Sequence, residues 1–471
     1  MNFSFMRRAS FFLCIVLASA AWAQWSPDPS QNLALADKPN NDQVQPKLRP
    51  LSGNGWYVSW FDADPTTPPP VGYDPTLQRL NSAGVEQLAH NGVRVADLGN
   101  SSTQDWGLDV DSKGRALLTF LDTRDGSNQQ VTATKIGPEG GPMWGPRGVQ
   151  LTRDNHFHAA PKIAGTSDGN VVVAWTSDSQ VVVQKLNSRG RPQWGAGIVF
   201  SESGFNYSVA DLHAADNGSV ILSMVRDQGF GSDRQLRANK LDANGALLWG
   251  QQNIAVFDTG SLQFGNWPDF IPDGSGGAVF AWYTSSPALQ CFAQHILTDG
   301  SEAFSHNGVA VSTNTFNVRV SPSVTYSART GDTYVFWTEE DSNQFTNGVS
   351  GQKLNSTGTR KWGSTGKTIV PLGPDAQIFV ESVQTSSGPL VFWVDQASFT
   401  SSQIVATKLD GAGRVVCPQF PVSTSAVTPF GLVADTAPSG LTALVWSDSR
   451  IGNNGIYIQN VNRDCSLGQH P

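Results

Sequence analysis

The stretches "QWSPDPSQNLALAD" (24–37) and "ALVWSDSRIGNNGIYIQNVNRDCSLGQHP" (443–471) decide the fold when they are set side by side. The second contains a short apolar strand, a turn, a further strand and another turn, and then it stops. The first opens with a tryptophan and a polar turn, and continues into a strand. "NLALAD" (32–37) stands where "GVQLTRD" (148–154) stands inside the chain, and Trp25 stands where Trp144 does. The chain therefore begins with the strand that its last unit lacks.

Working outward, the apolar strand of the second stretch recurs eight times. The copies are "YVSW" (57–60), "LLTF" (117–120), "VVAW" (172–175), "ILSM" (221–224), "VFAW" (279–282), "YVFW" (334–337), "LVFW" (390–393) and "ALVW" (443–446). Tight-turn signals such as "SDGN" and "DSKG" precede most copies. A second strand ending in a turn follows each, as in "QKLNSRG", "NKLDANG" and "TKLDGAG", and then a fourth strand such as "GVAVST". Four short strands per unit, a period of about 55 residues and no 3.6-residue periodicity predict an all-β, single eight-bladed β-propeller. The predicted domain covers 24–471, with 24–40 as closing strand and 428–471 as last blade. Closing the circle with the N-terminal strand removes an open sheet edge, which would be prone to aggregation.

The segment ahead of this domain has Arg7 and Arg8, an apolar run from Phe11 to Ala21 and an Ala-Trp-Ala end. It is expected to be a signal peptide, residues 1–23, cleaved near Ala23; its apolar run is too short for a membrane anchor. That places the protein in the periplasm or outside the cell. Without those residues 29 basic side chains face 39 acidic ones, a net charge of −10. This balance argues against nucleic-acid binding, because phosphate contacts need clustered Lys and Arg. No later apolar run is long enough for membrane insertion.

Gly-x-x-x-Trp recurs at one turn of each unit: Gly140/Trp144, Gly190/Trp194, Gly245/Trp249 and Gly358/Trp362, with Gly84/Leu88 and Gly300/Phe304 as apolar variants. "ANKLDANGALLWG" (238–250) resembles the tryptophan-docking repeat of eight-bladed quinoprotein propellers, in which an indole docks on the glycine turn of the next blade. The wider unit, seen in "WSDSRIGNNGIYIQ" (446–459), resembles the Trp-x-Asp-x-Arg repeats of secreted bacterial β-propeller proteins. The resemblance implies a propeller and no cofactor chemistry. It also implies a disulfide. Cys417 stands in the docking-tryptophan position of unit seven, and Cys465 stands where other units carry the turn glycine, so the two would replace one docking contact. Such a bond persists in an oxidising compartment. Cys291, within a strand, is expected to be free.

An acidic residue follows the recurrent strand in seven units: Asp62, Asp122, Asp178, Asp227, Glu339 (with Glu340), Asp395 and Asp448. A ring of carboxylates at a channel mouth could bind Ca²⁺ or act on a glycosidic bond. The alternative is local capping and pairing with Arg124 or Arg450 two residues on. "HFH" (156–158) could give two zinc ligands, but no third has suitable spacing. "GSTGKT" (363–368) imitates a P-loop, yet Lys361 stands where the first glycine belongs and a strand follows.

The connections between units are rich in aromatic residues among Asn, Ser and Thr. Phe157, Phe205, Tyr207, Phe264, Trp267, Phe316 and Phe430 all fall there, and Trp106 is one of three tryptophans that the repeat does not use. Rings beside amides and hydroxyls suit contact with a sugar or a peptide. The leading expectation is a non-catalytic binding module that takes a glycan or an extracytoplasmic protein on the interblade-loop face. A polysaccharide hydrolase or lyase is the alternative, and a cell-envelope scaffold a second one. No catalytic residue, resident metal or cofactor is assigned.

Overall fold

The computed structural model describes residues 25–63, 72–97, 106–126, 128–398 and 400–469. The expected signal peptide lies outside the described residues. Eight antiparallel sheets form the ring, each meandering outward from its first strand to its fourth. Blade 1 runs Gln43–Pro50, Trp56–Ala63, Tyr73–Leu80 and Val93–Arg94. Blade 6 runs Val318–Ser327, Asp332–Glu340, Asn347–Leu354 and Lys367–Gly373. First strands touch first strands around the circle, so they form the inner wall.

All eight recurrent apolar segments are second strands, buried on both faces between neighbouring blades. Their tryptophans (Trp60, Trp282, Trp337, Trp393 and Trp446 among them) have almost no exposed surface. Blade 8 closes as the sequence implies. Leu33–Ala36 pairs antiparallel with Gly455–Val461, matching Leu33 to Ile458, and supplies the outer strand. The Asn32 side chain ties this closing strand to the outer strand of blade 7 (Val415–Ser423), donating to Val422 O and accepting from Ser423 Oγ.

The turns on one face of the ring act as joints. Trp25, Trp144 and Trp249 donate Nε1–H to the carbonyls of Ser82, Ser188 and Thr298, each two residues before the turn glycine of the next blade. Each indole then covers that glycine. A Cβ on Gly300 (φ +85°) would sit 2.7 Å from the Trp249 ring, and one on Gly84 would sit 2.7 Å from Trp25. Trp194 covers Gly245, Phe304 covers Gly358 and Trp362 covers Gly413 in the same way. The joint between blades 7 and 8 instead holds the disulfide Cys417–Cys465, with Cα atoms 6.5 Å apart. Cys465 even keeps the glycine's left-handed backbone, with φ +70°. Cys291 is free and buried, as expected.

Lysines of the third strands form a second line of joints. Lys185 Nζ lies 2.7 Å from Asp168 in its own blade and donates at 2.8 Å to Ala243 O of the next. Lys353 pairs with Asp332 and reaches Gly411 O, and Lys408 reaches Arg463 O. The buried ammonium groups of Lys185 and Lys353 are tolerated here because each donates to a carboxylate and to a carbonyl. One face of the ring is thus committed to holding the blades together.

Candidate functional site

The opposite face carries the loops between second and third strands and the connections between blades. Among the described residues, seven aromatic side chains are exposed: Phe157, Phe230, Phe264, Trp267, Phe316, Phe345 and Phe379. All seven are on these loops or at the adjoining end of an inner strand, from blade 3 to blade 7. The fold explains the segregation. The joint face has to repeat in every blade, whereas these loops are free of that demand.

The richest part of the face lies between blades 4 and 5. Phe230, 96% exposed, meets Phe264 edge-on at 5.9 Å. The buried guanidinium of Arg234 lies 4.8 Å from the Trp267 ring centre and 5.8 Å from that of Phe264. Arg234 is fixed in turn by donating to Gln263 O. A cation under two rings holds them in place while their outer faces stay in water. Phe264, Trp267, Phe157 and Phe316 therefore stand where the sequence analysis placed them, on the loop face.

Four expected contact residues are buried or half-buried instead. Trp106 is 1% exposed and packs on Phe61 at 5.0 Å, because the inner strand that follows it carries it into the core between blades 1 and 2. Tyr207 is equally buried, its hydroxyl donating to Glu202. Phe205 lies beneath the Arg226 guanidinium at 3.2 Å, and Phe430 is half-buried at the start of blade 8. Phe230, Phe345 and Phe379 were missed. The first two are in second-to-third-strand loops, which the sequence analysis mined only for carboxylates. Phe379 is carried outward by a bulge with φ +54°.

The acidic residues stand at the ends of second strands, one strand outward from the channel wall, so they do not line the channel mouth. Each is engaged within its blade or beside it. Asp122 and Asp448 take the guanidinium groups of Arg124 and Arg450. Asp62 takes Lys38 and Asn41. Asp178 accepts from Phe157 N and faces His156 at 2.6 Å. Asp227 accepts from Asn206 and Gly229 N. Asp395 accepts from Gln377 and Gln403. Glu339 accepts from Arg319, Asn317 and Trp337. His158 turns away from His156 to Asp154, and no group of three metal-ligating side chains occurs among the described residues.

The channel wall has its own chemistry, which the sequence analysis did not find. Inner strands carry a bulge near their start, often marked by proline (Pro46, Pro161, Pro322), and a polar residue follows it: Lys47, Lys162, Asp211, Ser323 or Glu381. Two residues deeper come Arg49, Asp109, His213 and Asp435. Arg49 pairs with Asp109 at 3.5 Å and His213 with Asp211 at 2.8 Å. Burial works against the Asp211 charge, but His213 beside it holds its carboxyl below the usual range. Asp211 raises His213 in return, against the cost of its own burial. Glu381 has no such partner. Burial pushes its carboxyl up to about 8, with Asp269 and Asp435 adding to the effect and the Ala434 amide opposing it. Asp435 is raised by burial as well, despite Arg49. The available signal was a proline followed by a polar residue at the start of three inner strands: Pro46-Lys47, Pro161-Lys162 and Pro322-Ser323.

No protein-family model and no curated protein matches this chain. Solved structures do match. The Dos1 propeller aligns over 91% of this chain and 95% of its own, with a TM-score of 0.51 and 11% identity. A protein of unknown function from Dyadobacter fermentans aligns over 91% and 97%, with a TM-score of 0.43 and 8% identity. A PL25 ulvan lyase bound to its sugar aligns over 83% and 95%, with a TM-score of 0.46 and 12% identity. At such identities the likeness concerns the fold alone: this chain is an eight-bladed β-propeller, closed by its first strand and by one disulfide.

Proposed function

We propose that this protein is a non-catalytic binding module of an oxidising, extracytoplasmic compartment, and that its loop face takes a glycan chain. The observation that carries the reading is the gathering of the seven aromatic rings that are exposed among the described residues on the face that the joints leave free. The rings are spread over five blades rather than packed into one apolar patch, which suits an extended polymer touching several points better than a compact protein surface. Sugar rings offer apolar C–H faces to aromatic groups and hydroxyls to the Asn, Ser and Thr between them. The disulfide supports the compartment, since such bonds are rare where thiols are kept reduced; the signal peptide expected at 1–23 would agree with it. No described helix is long and apolar enough to cross a membrane.

The test is retention on immobilised polysaccharides, neutral and acidic, with Trp267→Ala beside the wild type. Loss of retention with an unchanged melting temperature supports the reading. A large loss of stability would mean that the ring is packing, not contact. The alternative reading, a hydrolase or lyase, is favoured by one feature: Glu381 keeps its proton near neutrality while Asp211 stays ionised, a division that suits acid and base roles. Polysaccharide breakdown by the wild type that Glu381→Gln abolishes would favour this alternative over a binding module.

A further inference from the structure

Seven of the eight second strands end in a carboxylate, and beside it lies a niche, seen in blades 1, 2, 6 and 8. Its back is the core residue of the second strand. Its sides are the third and fourth strands, and its lip is the connection arriving from the previous blade. Blades 2 and 8 fill this niche with their own arginine. Arg124 reaches across from Asp122 to Arg147 O at the outer turn. Arg450 runs from Asp448 to Ser425 and Asn32, its guanidinium 3.8 Å above the Tyr457 ring. In both cases the arginine stands two residues after the carboxylate.

Blade 6 has Asp341 at that position, and its side chain turns back to cap the loop, accepting from Phe345 N and Thr346 N. The niche is left open as a cavity of ≈ 340 Å³. Asn314 and Asn317 form its lip, Glu339 and Ser350 its floor, and Thr365 and Thr368 its outer side. Two register shifts between the third and fourth strands, on either side of Val349, bow the outer strand and widen it. Gly366 closes over Trp337; a Cβ there would lie 2.9 Å from the indole. Blade 1 has a cavity at the equivalent place, ≈ 290 Å³, but it is lined by Lys38, Asp62, Asp74 and Arg94.

The chemistry of the blade 6 niche is distinctive. Its one carboxylate is neutralised by Arg319, which is wholly buried and is itself held by Gln290 and Asn314 O. Asn317 and Trp337 hold Glu339 from two further directions. What remains is a rigid, uncharged set of amides and hydroxyls, each able to donate and accept. Phe316, between Asn314 and Asn317, stands exposed at the lip, and its backbone N–H is fixed by Asn314 Oδ1. We propose that this niche is a subsite for one uncharged sugar ring, with hydroxyls on Asn314, Asn317, Ser350, Thr365 and Thr368 and with Phe316 against its apolar face. The proposal rests on the glycan reading above and names the ring class that one position accepts.

The internal repeat supplies the test. Asp341→Arg places in blade 6 the arginine that fills blades 2 and 8, and Asp341→Ala controls for loss of the loop cap. Methyl β-glucopyranoside, methyl β-galactopyranoside, methyl α-mannopyranoside and glucuronic acid are each titrated at millimolar concentration, read by saturation-transfer difference NMR. The wild type and Asp341→Ala should give signals with at least one neutral glycoside and weaker ones with glucuronic acid. Asp341→Arg should lose those signals at least tenfold while its melting temperature stays within a few degrees of that of Asp341→Ala. Undiminished signals in Asp341→Arg overturn the niche; if Trp267→Ala still abolishes polysaccharide retention, the broader glycan reading survives. No neutral glycoside signal in the wild type also overturns the niche. If polysaccharide retention is absent as well, both fall together.

Discussion

The joint between blades 7 and 8 permits a repair experiment. Cys417–Cys465 closes a loop with a sequence separation of 48. On the chain-entropy account its removal by Cys417→Ala/Cys465→Ala should cost about 4 kcal/mol, less any strain. For roughly 450 cooperatively unfolding residues the unfolding entropy is about 0.9 kcal/mol per kelvin, so the melting temperature should fall by about 4 °C. Seven other joints show what the repeat uses in place of a disulfide: an apolar side chain, in five of them an indole, over a glycine with positive φ. Cys417→Trp/Cys465→Gly should therefore restore the contact. Burying the indole contributes about 2–3 kcal/mol, and glycine at φ +70° relieves about 1 kcal/mol of backbone cost. Most of the lost 4 °C should return. Differential scanning calorimetry with and without reductant separates the terms: the wild type should drop to the double-alanine value under reductant, while the Trp/Gly variant should not respond. A Trp/Gly variant no more stable than the double-alanine one would refute the equivalence of the eight joints.

Other outcomes follow from the same geometry. Gly300→Ala, which drives a methyl group into the Trp249 ring, should cost at least about 2 kcal/mol. Gly145→Ala has the same φ of +85° but open space, so it should cost only about 1 kcal/mol, the backbone component alone, by chemical denaturation. Deleting residues 24–38 removes the outer strand of blade 8 and one docking indole; the product should aggregate or melt far below the parent, and an unchanged soluble ring would disprove the closure. Glu381 holds its proton up to about 8 in the folded ring but loses it near 4.5 when unfolded, so stability should fall as pH rises through that window. The raised Asp435 works in the same direction, and the contribution of His213 is lost as pH climbs above 6.5. Glu381→Gln should accordingly gain on the order of 3 kcal/mol over wild type at pH 7 and almost nothing at about pH 4, measured by denaturant titration at both.

The joints were legible in the sequence because they repeat. Eight copies of one strand, a glycine four residues before an aromatic group, and one cysteine at each of the two partner positions of a joint each announce a contact that every blade must make. The loop face was legible only as composition. Trp106 and Tyr207 look like Trp267 in the chain, and nothing local says that an inner strand will pull the first under Phe61, or that Glu202 will hold the second. The carboxylates were read as a ring because they recur, yet recurrence is also what a structural cap produces. The blade 6 niche depends on an absence, the missing arginine after Glu339, which carries meaning only beside Arg124 and Arg450. The channel groups were hidden because a bulge breaks the alternation of the inner strands beside Pro46 and Pro161.

The closing seam also sets an orientation. Gln459 of the last blade donates to Ser26 O, and Gly468 packs on Pro27, so the two ends of the domain leave the ring side by side. They leave from the joint face, where Trp25 covers its neighbour's turn. Anything fused at either end therefore emerges on the side away from the seven exposed rings. A surface to which the domain is tethered by one end would display those rings outward like an open palm, and a biosensor chip coated through a terminal tag would present every copy the same way up.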